Sequence, residues 1–475
     1  MYFYLNHKRL TMASKVFLLI SSLFFYSWWN VFYLPIILIS ILFNYFIGSK
    51  LNDIRRTILS RKLFLVFGIS SNIGLLGYFK YTDFLIENLN LIISKNIEAL
   101  NLALPLAISF FTFQQIAYLV DSYRQETKEY SLLNYAVFVT FFPQLIAGPI
   151  VHHSEMMPQF NNKKNMVRNY KNIAMGLFIF SIGLFKKVVI ADTFAVWAAS
   201  GFDTEVTLNL FDAWSTSLSY TFQLYFDFSG YTDMAIGLAL IFNIKLPINF
   251  NSPYKATNIQ EFWRRWHITL SRFLKDYVYI PLGGSRKGEY RVYSNLIATF
   301  IIGGIWHGAG WTFIFWGVIH GVALVTHRIW SKLNFKIWTW LAWLITFNFI
   351  NIAWVFFRAE EWEDAIRIIE GMTNFSNVIV SNTFVSIYDS TVSSVLGIFT
   401  PALGGVNDKH FLFYFDTYFY IAASLLIVLR FSNSNQLTDK INIKYLNVVC
   451  SVFLFSFSLL FISYKKSEVF IYFNF

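Results

Sequence analysis

Charge is scarce in this chain. Only 14% of its 475 residues are Asp, Glu, Lys or Arg, against 56% hydrophobic and 20% aromatic. A soluble domain of this length needs a more polar surface, so the composition excludes one and leaves an integral membrane protein. Cysteine is almost absent. The single Cys450 leaves no internal disulfide and no Cys-rich metal cluster. Also missing are H-E-x-x-H, a Walker A loop and a G-x-S-x-G elbow. With one cysteine and scattered histidines, no metal site is expected. There is no internal repeat and no low-complexity tract. No cleavable leader is evident either: the apolar stretch from Val16 runs into Trp28, Trp29 and Asn30 rather than a small-residue cleavage site.

What is present is a series of apolar runs near 16–29, 31–48, 63–79, 102–120, 133–150, 173–191, 211–226, 292–306, 311–327, 337–356, 414–430 and 446–464. A full span takes about 20 residues, so the expectation is a single all-α, polytopic domain over 1–475 with roughly ten to twelve membrane helices. The net charge of +11 sits in short loops, where bases orient helices, and no basic patch suits nucleic acid. Lys8, Arg9 and Lys15 precede the first span. Lys50, Arg55, Arg56, Arg61 and Lys62 follow the second, and Arg124 and Lys128 come two crossings later. All three clusters are therefore expected on the cytoplasmic side. Residues 245–290 carry too many charges for lipid and should lie at the interface or fold into a protein-lined cavity. Residues 373–410 are rich in Ser, Thr, Asn and Val and read as a water-exposed loop, either a partner-docking surface or a tolerated variable one.

Two histidines lie in membrane-grade sequence. His307 sits in residues 301–317, IIGGIWHGAGWTFIFWG. An ionisable group at that depth marks a functional site or a neutral imidazole bonded between helices. Gly308 and Gly310 break the helix beside it, and Trp306 and Trp311 are expected to wall it in. His267 sits in residues 261–276, EFWRRWHITLSRFLKD. Drawn as one helix, Trp263, His267, Leu270 and Leu274 form a stripe, and the pairs Glu261–Arg265 and Arg272–Asp276 are each four apart. That pattern fits a headgroup-lying amphipathic helix or a catalytic element equally. His320, 13 residues beyond His307, would fall on nearly the opposite face of a continuous helix unless the glycines bend it, and is read as a packing histidine. What remains for chemistry is histidine acting alone. An imidazole can take a proton from a hydroxyl and so activate it for attack on an acyl group, in a cavity from which water is largely excluded.

At these residues the chain resembles the membrane-bound O-acyltransferase family, and more narrowly its alginate O-acetyltransferase-like branch. The resemblance is carried by 110–124 (FFTFQQIAYLVDSYR), 141–150 (FFPQLIAGPI), 222–239 (FQLYFDFSGYTDMAIGLA), 246–254 (LPINFNSPY), 261–284, 303–321, 355–359 (VFFRA) and the tail 470–475 (FIYFNF). It implies helices around a central funnel, with the family's central histidine at His307 and its second histidine at His267. It further implies transfer of an acetyl group from a cytoplasmic donor, acetyl-coenzyme A, across a bacterial cytoplasmic (inner) membrane. The acceptor would be a cell-envelope or exported polysaccharide, reached through a hydrolase-like extracytoplasmic acetyltransferase partner. Trp306, Trp311, Trp263, Arg272 and Asp276 are the expected substrate-binding residues, with no tightly bound cofactor. Three other readings stand beside this one. The first is a polysaccharide-export or proton-coupled transporter, against which the lack of related halves weighs. The second is a catalytically idle scaffold, against which the intact His307 and His267 strings weigh. The third, within the family, is D-alanyl transfer to teichoic acid. Only Met1–Leu5 precede the first basic cluster, where relatives usually have a further apolar helix.

Overall fold

The computed structural model describes residues 1–93, 96–127, 131–146, 148–375, 409–440 and 445–464. The water-exposed loop expected at 373–410 falls largely outside these residues, as do Lys128 and the tail string. All regular structure among the described residues is helical. In chain order the helices are α1 (Tyr2–His7), α2 (Thr11–Trp29), α3 (Leu34–Asn52), α4 (Ile58–Lys80), α5 (Thr82–Ile93), α6 (Ile108–Tyr123), α7 (Leu132–Thr140), α8 (Phe142–Leu145), α9 (His153–Asn161), α10 (Tyr170–Phe185) and α11 (Asp192–Phe202). They continue with α12 (Leu210–Ile241), α13 (Ile259–Arg265), α14 (Ile268–Leu274), α15 (Glu289–His307), α16 (Trp311–Lys332), α17 (Thr339–Arg358), α18 (Trp362–Thr373), α19 (Lys409–Arg430), α20 (Ser434–Lys440) and α21 (Tyr445–Tyr464).

Among the described residues, six stretches are both long and apolar enough to cross a membrane: 11–28, 31–52, 58–80, 170–202, 311–332 and 339–358. Several apolar runs of the sequence became something else. The run 133–150 is cut at Phe141, before Pro143, into α7 and α8. The run 211–226 is the front half of α12, a helix of 32 residues whose Asp212, Asp227 and Asp233 are buried in protein rather than turned to lipid. Buried charge needs partners. Lys187 lies 2.6 Å from Asp192 and 2.9 Å from Asp227, and Lys186 lies 2.6 Å from Asp233. Both lysines stand in the π-helical turn (Lys186–Ala191) that joins α10 to α11. Paired glycines let α10 and α12 touch backbone to backbone. A Cβ on Gly183 would lie 2.5 Å from the Gly230 oxygen, and one on Gly237 would lie 2.5 Å from the Gly176 oxygen.

Side-chain to backbone bonds sort the helix ends onto two faces. On one face, Arg61 Nε donates to the Leu51 carbonyl at 2.9 Å, Gln125 Nε2 donates to the same oxygen at 3.1 Å, and Arg61 also reaches the Tyr123 carbonyl. Arg124 donates to the Asp276 carbonyl at 3.3 Å, and Glu289 pairs with Arg328 and Lys332 at 3.1 and 2.8 Å. The loops 50–62 and 121–127 are therefore neighbours, and this is the basic face. On the opposite face lie the end of α4, the α15–α16 turn and the loops where Arg358 meets Asp203 at 2.6 Å.

Candidate active site

His307 is the last residue of α15, a helix that climbs roughly 27 Å from Glu289 at 1.5 Å per residue. Gly308 leaves the helix with extended backbone, and α16 starts back at Trp311. The glycines here serve close packing. A Cβ on Gly308 would enter the Phe313 ring, and one on Gly304 would strike the Phe313 carbonyl. The imidazole of His307 is 3% exposed and lies edge-on to three rings: Trp306 at 4.7 Å, Phe357 at 5.0 Å and Trp316 at 5.1 Å between centroids.

His267 is fully buried and stands between α13 and α14 with φ +41° and ψ 54°. Left-handed backbone is uncommon for a residue with a Cβ and is retained where surroundings impose it. Asn249 imposes it here. Its carbonyl accepts from Ile268 N at 3.0 Å, and its Oδ1 accepts from Thr269 N at 3.1 Å and Thr269 Oγ1 at 2.9 Å. Because Oδ1 is an acceptor, His267 Nδ1, 3.1 Å away, must be the donor. The proton is thus on Nδ1, and Nε2 is the basic nitrogen. Trp306 lies between the two histidines, 6.3 Å from His267 and 4.7 Å from His307.

The helix does not run straight past Gly308, and so His320 returns to the same cluster. Trp316 touches both His307, at 5.1 Å, and His320, at 4.7 Å. Trp263 Nε1 donates to His320 Nδ1 at 3.2 Å, which places the His320 proton on Nε2. Trp306 and Trp316 thus join His267, His307 and His320 in one cluster.

A column of rings runs from Trp306 to the basic face. Trp306 stacks on Phe113 at 4.9 Å, Phe113 stacks on Phe273 at 4.0 Å, and Phe273 meets Tyr277 at 4.9 Å. At its end the Tyr277 hydroxyl donates to Asp121 Oδ1 at 2.7 Å and lies 3.0 Å from His152 Nδ1. Burial, then the Asp121 carboxylate, pushes the Tyr277 hydroxyl well above its ordinary pKa, so it remains a donor.

Residues 16–359 match the model of the membrane-bound O-acyltransferase family. The chain belongs to this family. It is 52% identical to the peptidoglycan O-acetyltransferase of Helicobacter pylori, over 97% of this chain and 91% of that one. It is 41% identical to the probable alginate O-acetylase of Pseudomonas aeruginosa, over 78% of this chain and 72% of that one. A teichoic acid D-alanyltransferase of Streptococcus thermophilus is more distant, 27% identical over 48% of this chain and 57% of its own length.

In this O-acyltransferase the expected site residues divide. His307, His267, Trp306 and Trp263 are buried in one cluster. Trp311 is not in it. The chain turns at Gly308–Gly310, which leaves Trp311 61% exposed, with its indole donating to Asn88 at 3.0 Å and its ring against Phe84. Arg272 does not pair with Asp276. After Leu274 the chain takes a π-helical turn (Lys275–Tyr279), and the fourfold spacing no longer aligns the two. Arg272 instead makes a two-pronged pair with Glu155, at 2.6 and 3.0 Å. It lines a cavity of about 260 Å³ on the basic face with Lys245, Gln159 and Pro247. Asp276 stands apart from that cavity. The Glu261–Arg265 pair forms as the spacing predicts, at 2.8 Å. The segment itself is two helices broken at His267, each far too short to cross a bilayer. Asn249, Phe113, Trp316, Phe357 and Lys80 were not singled out from the sequence. The first four lie near or within strings that carry the resemblance, whereas Lys80 is 227 residues from His307 and no local pattern links them.

Proposed function

We propose that this acyltransferase is a multi-pass protein of the bacterial cytoplasmic membrane that passes acetyl groups from cytoplasmic acetyl-coenzyme A to the outer face, for O-acetylation of peptidoglycan. The observation that carries the reading is the near full-length similarity to the H. pylori protein named for that reaction. The D-alanyl alternative rests on half the chain at little more than half that identity. With α6, α12, α15, α19 and α21 embedded beside the six apolar spans, the helix count enters the ten-to-twelve range around a central funnel. Basic-residue bias puts the Arg61–Arg124 face in the cytoplasm. The coenzyme's phosphates would then meet Arg272 and Lys245 at their cavity.

In the reaction, His307 takes the proton of the acceptor hydroxyl as that oxygen attacks the thioester carbonyl. The tetrahedral intermediate collapses by breaking the carbon–sulfur bond, and the proton passes to the departing thiolate. His267, locked by Asn249, and the walls of Trp306 and Trp263 hold the space. A hydrolase-like extracytoplasmic partner delivers the group to the polymer. The test is His307→Ala in cells whose wall acetate is released by mild alkali and measured. Removing a general base costs about 10²–10⁴ in rate, so acetate should fall to background with the protein still in the membrane. Near-normal wall acetylation in that strain would show that His307 is not the base.

A further inference from the structure

A helix ends with carbonyls that have no partner within it, and in a membrane these must be satisfied from elsewhere. At the end of α15, Gly308 N takes the Gly304 carbonyl at 3.3 Å. The next three carbonyls belong to Ile305, Trp306 and His307. All three are taken by two adjacent residues from the end of α4. The Tyr81 hydroxyl donates to Ile305, and Lys80 Nζ donates to Trp306 at 2.6 Å and to His307 at 3.0 Å. The clamp therefore grips the backbone of the histidine and of the tryptophan between the two histidines, from a helix that contributes no ring to the cluster.

We infer that Lys80 is a positioning residue for acyl transfer, whose Nζ, with the Tyr81 hydroxyl, fixes the placement of His307 and Trp306. The inference rests on the acyl-transfer reading above. Its physical basis is that a three-residue helix end with loose carbonyls can shift by an ångström, and misplacement of that size costs about 10² in rate. Methionine at position 80 keeps most of the stem's bulk and removes both donors. Arginine keeps hydrogen-bond donors at the end of a stem of similar length.

The experiment uses membranes containing the full chain, with acetyl-coenzyme A varied and acetyl transfer followed. Lys80→Met should lower kcat by about 10–100-fold while the KM for acetyl-coenzyme A stays within about twofold, since chemistry and not donor binding is disturbed. Lys80→Arg should recover most of the turnover, and Tyr81→Phe, which releases one carbonyl, should lower kcat by a few-fold at unchanged KM. Wild-type kcat in Lys80→Met, or a change confined to KM, overturns the inference. If Lys80→Met fails to accumulate, the Arg and Phe variants decide: no recovery by arginine together with wild-type kcat in Tyr81→Phe overturns it as well. His307→Ala runs alongside. If that variant keeps its turnover, the acyl-transfer reading fails. If it is inactive while Lys80→Met is normal, only the role of Lys80 does.

Discussion

At the scale of single residues, Asn249 does more for the site than its plain appearance in LPINFNSPY indicates. It holds Thr269, Ile268 and the His267 ring, and so fixes the left-handed turn on which the ring stands. Asn249→Ala would leave Thr269 N–H, its hydroxyl and His267 Nδ1–H buried without that acceptor, a penalty of about 1–3 kcal/mol for each group left unsatisfied. The expected outcome is a lower thermal midpoint in detergent together with loss of acetyl transfer. A variant with unchanged midpoint and transfer would remove Asn249 from the account. His307, Trp306 and His267 could be read from the sequence because an ionisable group amid apolar residues and glycines is conspicuous along the chain. Trp311 was misplaced because its side chain follows the reversal at Gly308–Gly310, and one-dimensional spacing does not reveal where a chain reverses.

Among the elements, the α15–α16 hairpin and the α10–α12 pair depend on contacts of different kinds. The open end of the hairpin is tied by Glu289 to Arg328 and Lys332. These hydrogen bonds lower the Glu289 carboxyl to about 2. A depressed carboxylate contributes above its unfolded value of about 4.3 and loses that contribution as pH falls through about 2. Glu289→Gln should therefore flatten the melting response between these pH values while changing the midpoint near neutrality only slightly, because the pair is exposed and solvent-screened. Identical pH profiles for the variant and the parent would dismiss the tie. The α10–α12 contact has no such slack. Gly183→Ala puts a methyl 2.5 Å from the Gly230 oxygen and 2.7 Å from Met234 N, and forcing backbones apart typically costs about 1–3 kcal/mol. That variant should melt earlier in detergent, whereas an unaltered midpoint would mean that the helices can part freely. These helices were foreseen as apolar runs, but their pairing was not. Nor was the π-helical turn after Leu274, which shifts register by one residue and parts Arg272 from Asp276.

For the whole molecule, the two-faced arrangement makes a topological prediction. In a Cys450→Ser background, a cysteine at Arg56 should be shielded from an impermeant thiol reagent in intact cells, and one at the exposed Glu360 should react. Reversed labelling would invert the proposed orientation. The sequence argues for this sidedness because basic residues cluster in its loops. Which apolar runs cross in full is harder to read along the chain, because largely buried helices such as α12 carry acids that only tertiary pairing makes tolerable. The stacked rings from Tyr277 through Phe273 and Phe113 to Trp306 have one more consequence. On the proposed reading the protein lies across a voltage, and any thread of water through it would short-circuit the cell's energy store. Along this column the packed ring faces offer water no hydrogen-bond partner. An apolar column of this kind would work as electrical insulation, setting the reactive centre apart from the basic face without opening a leak for the ions on which a cell depends.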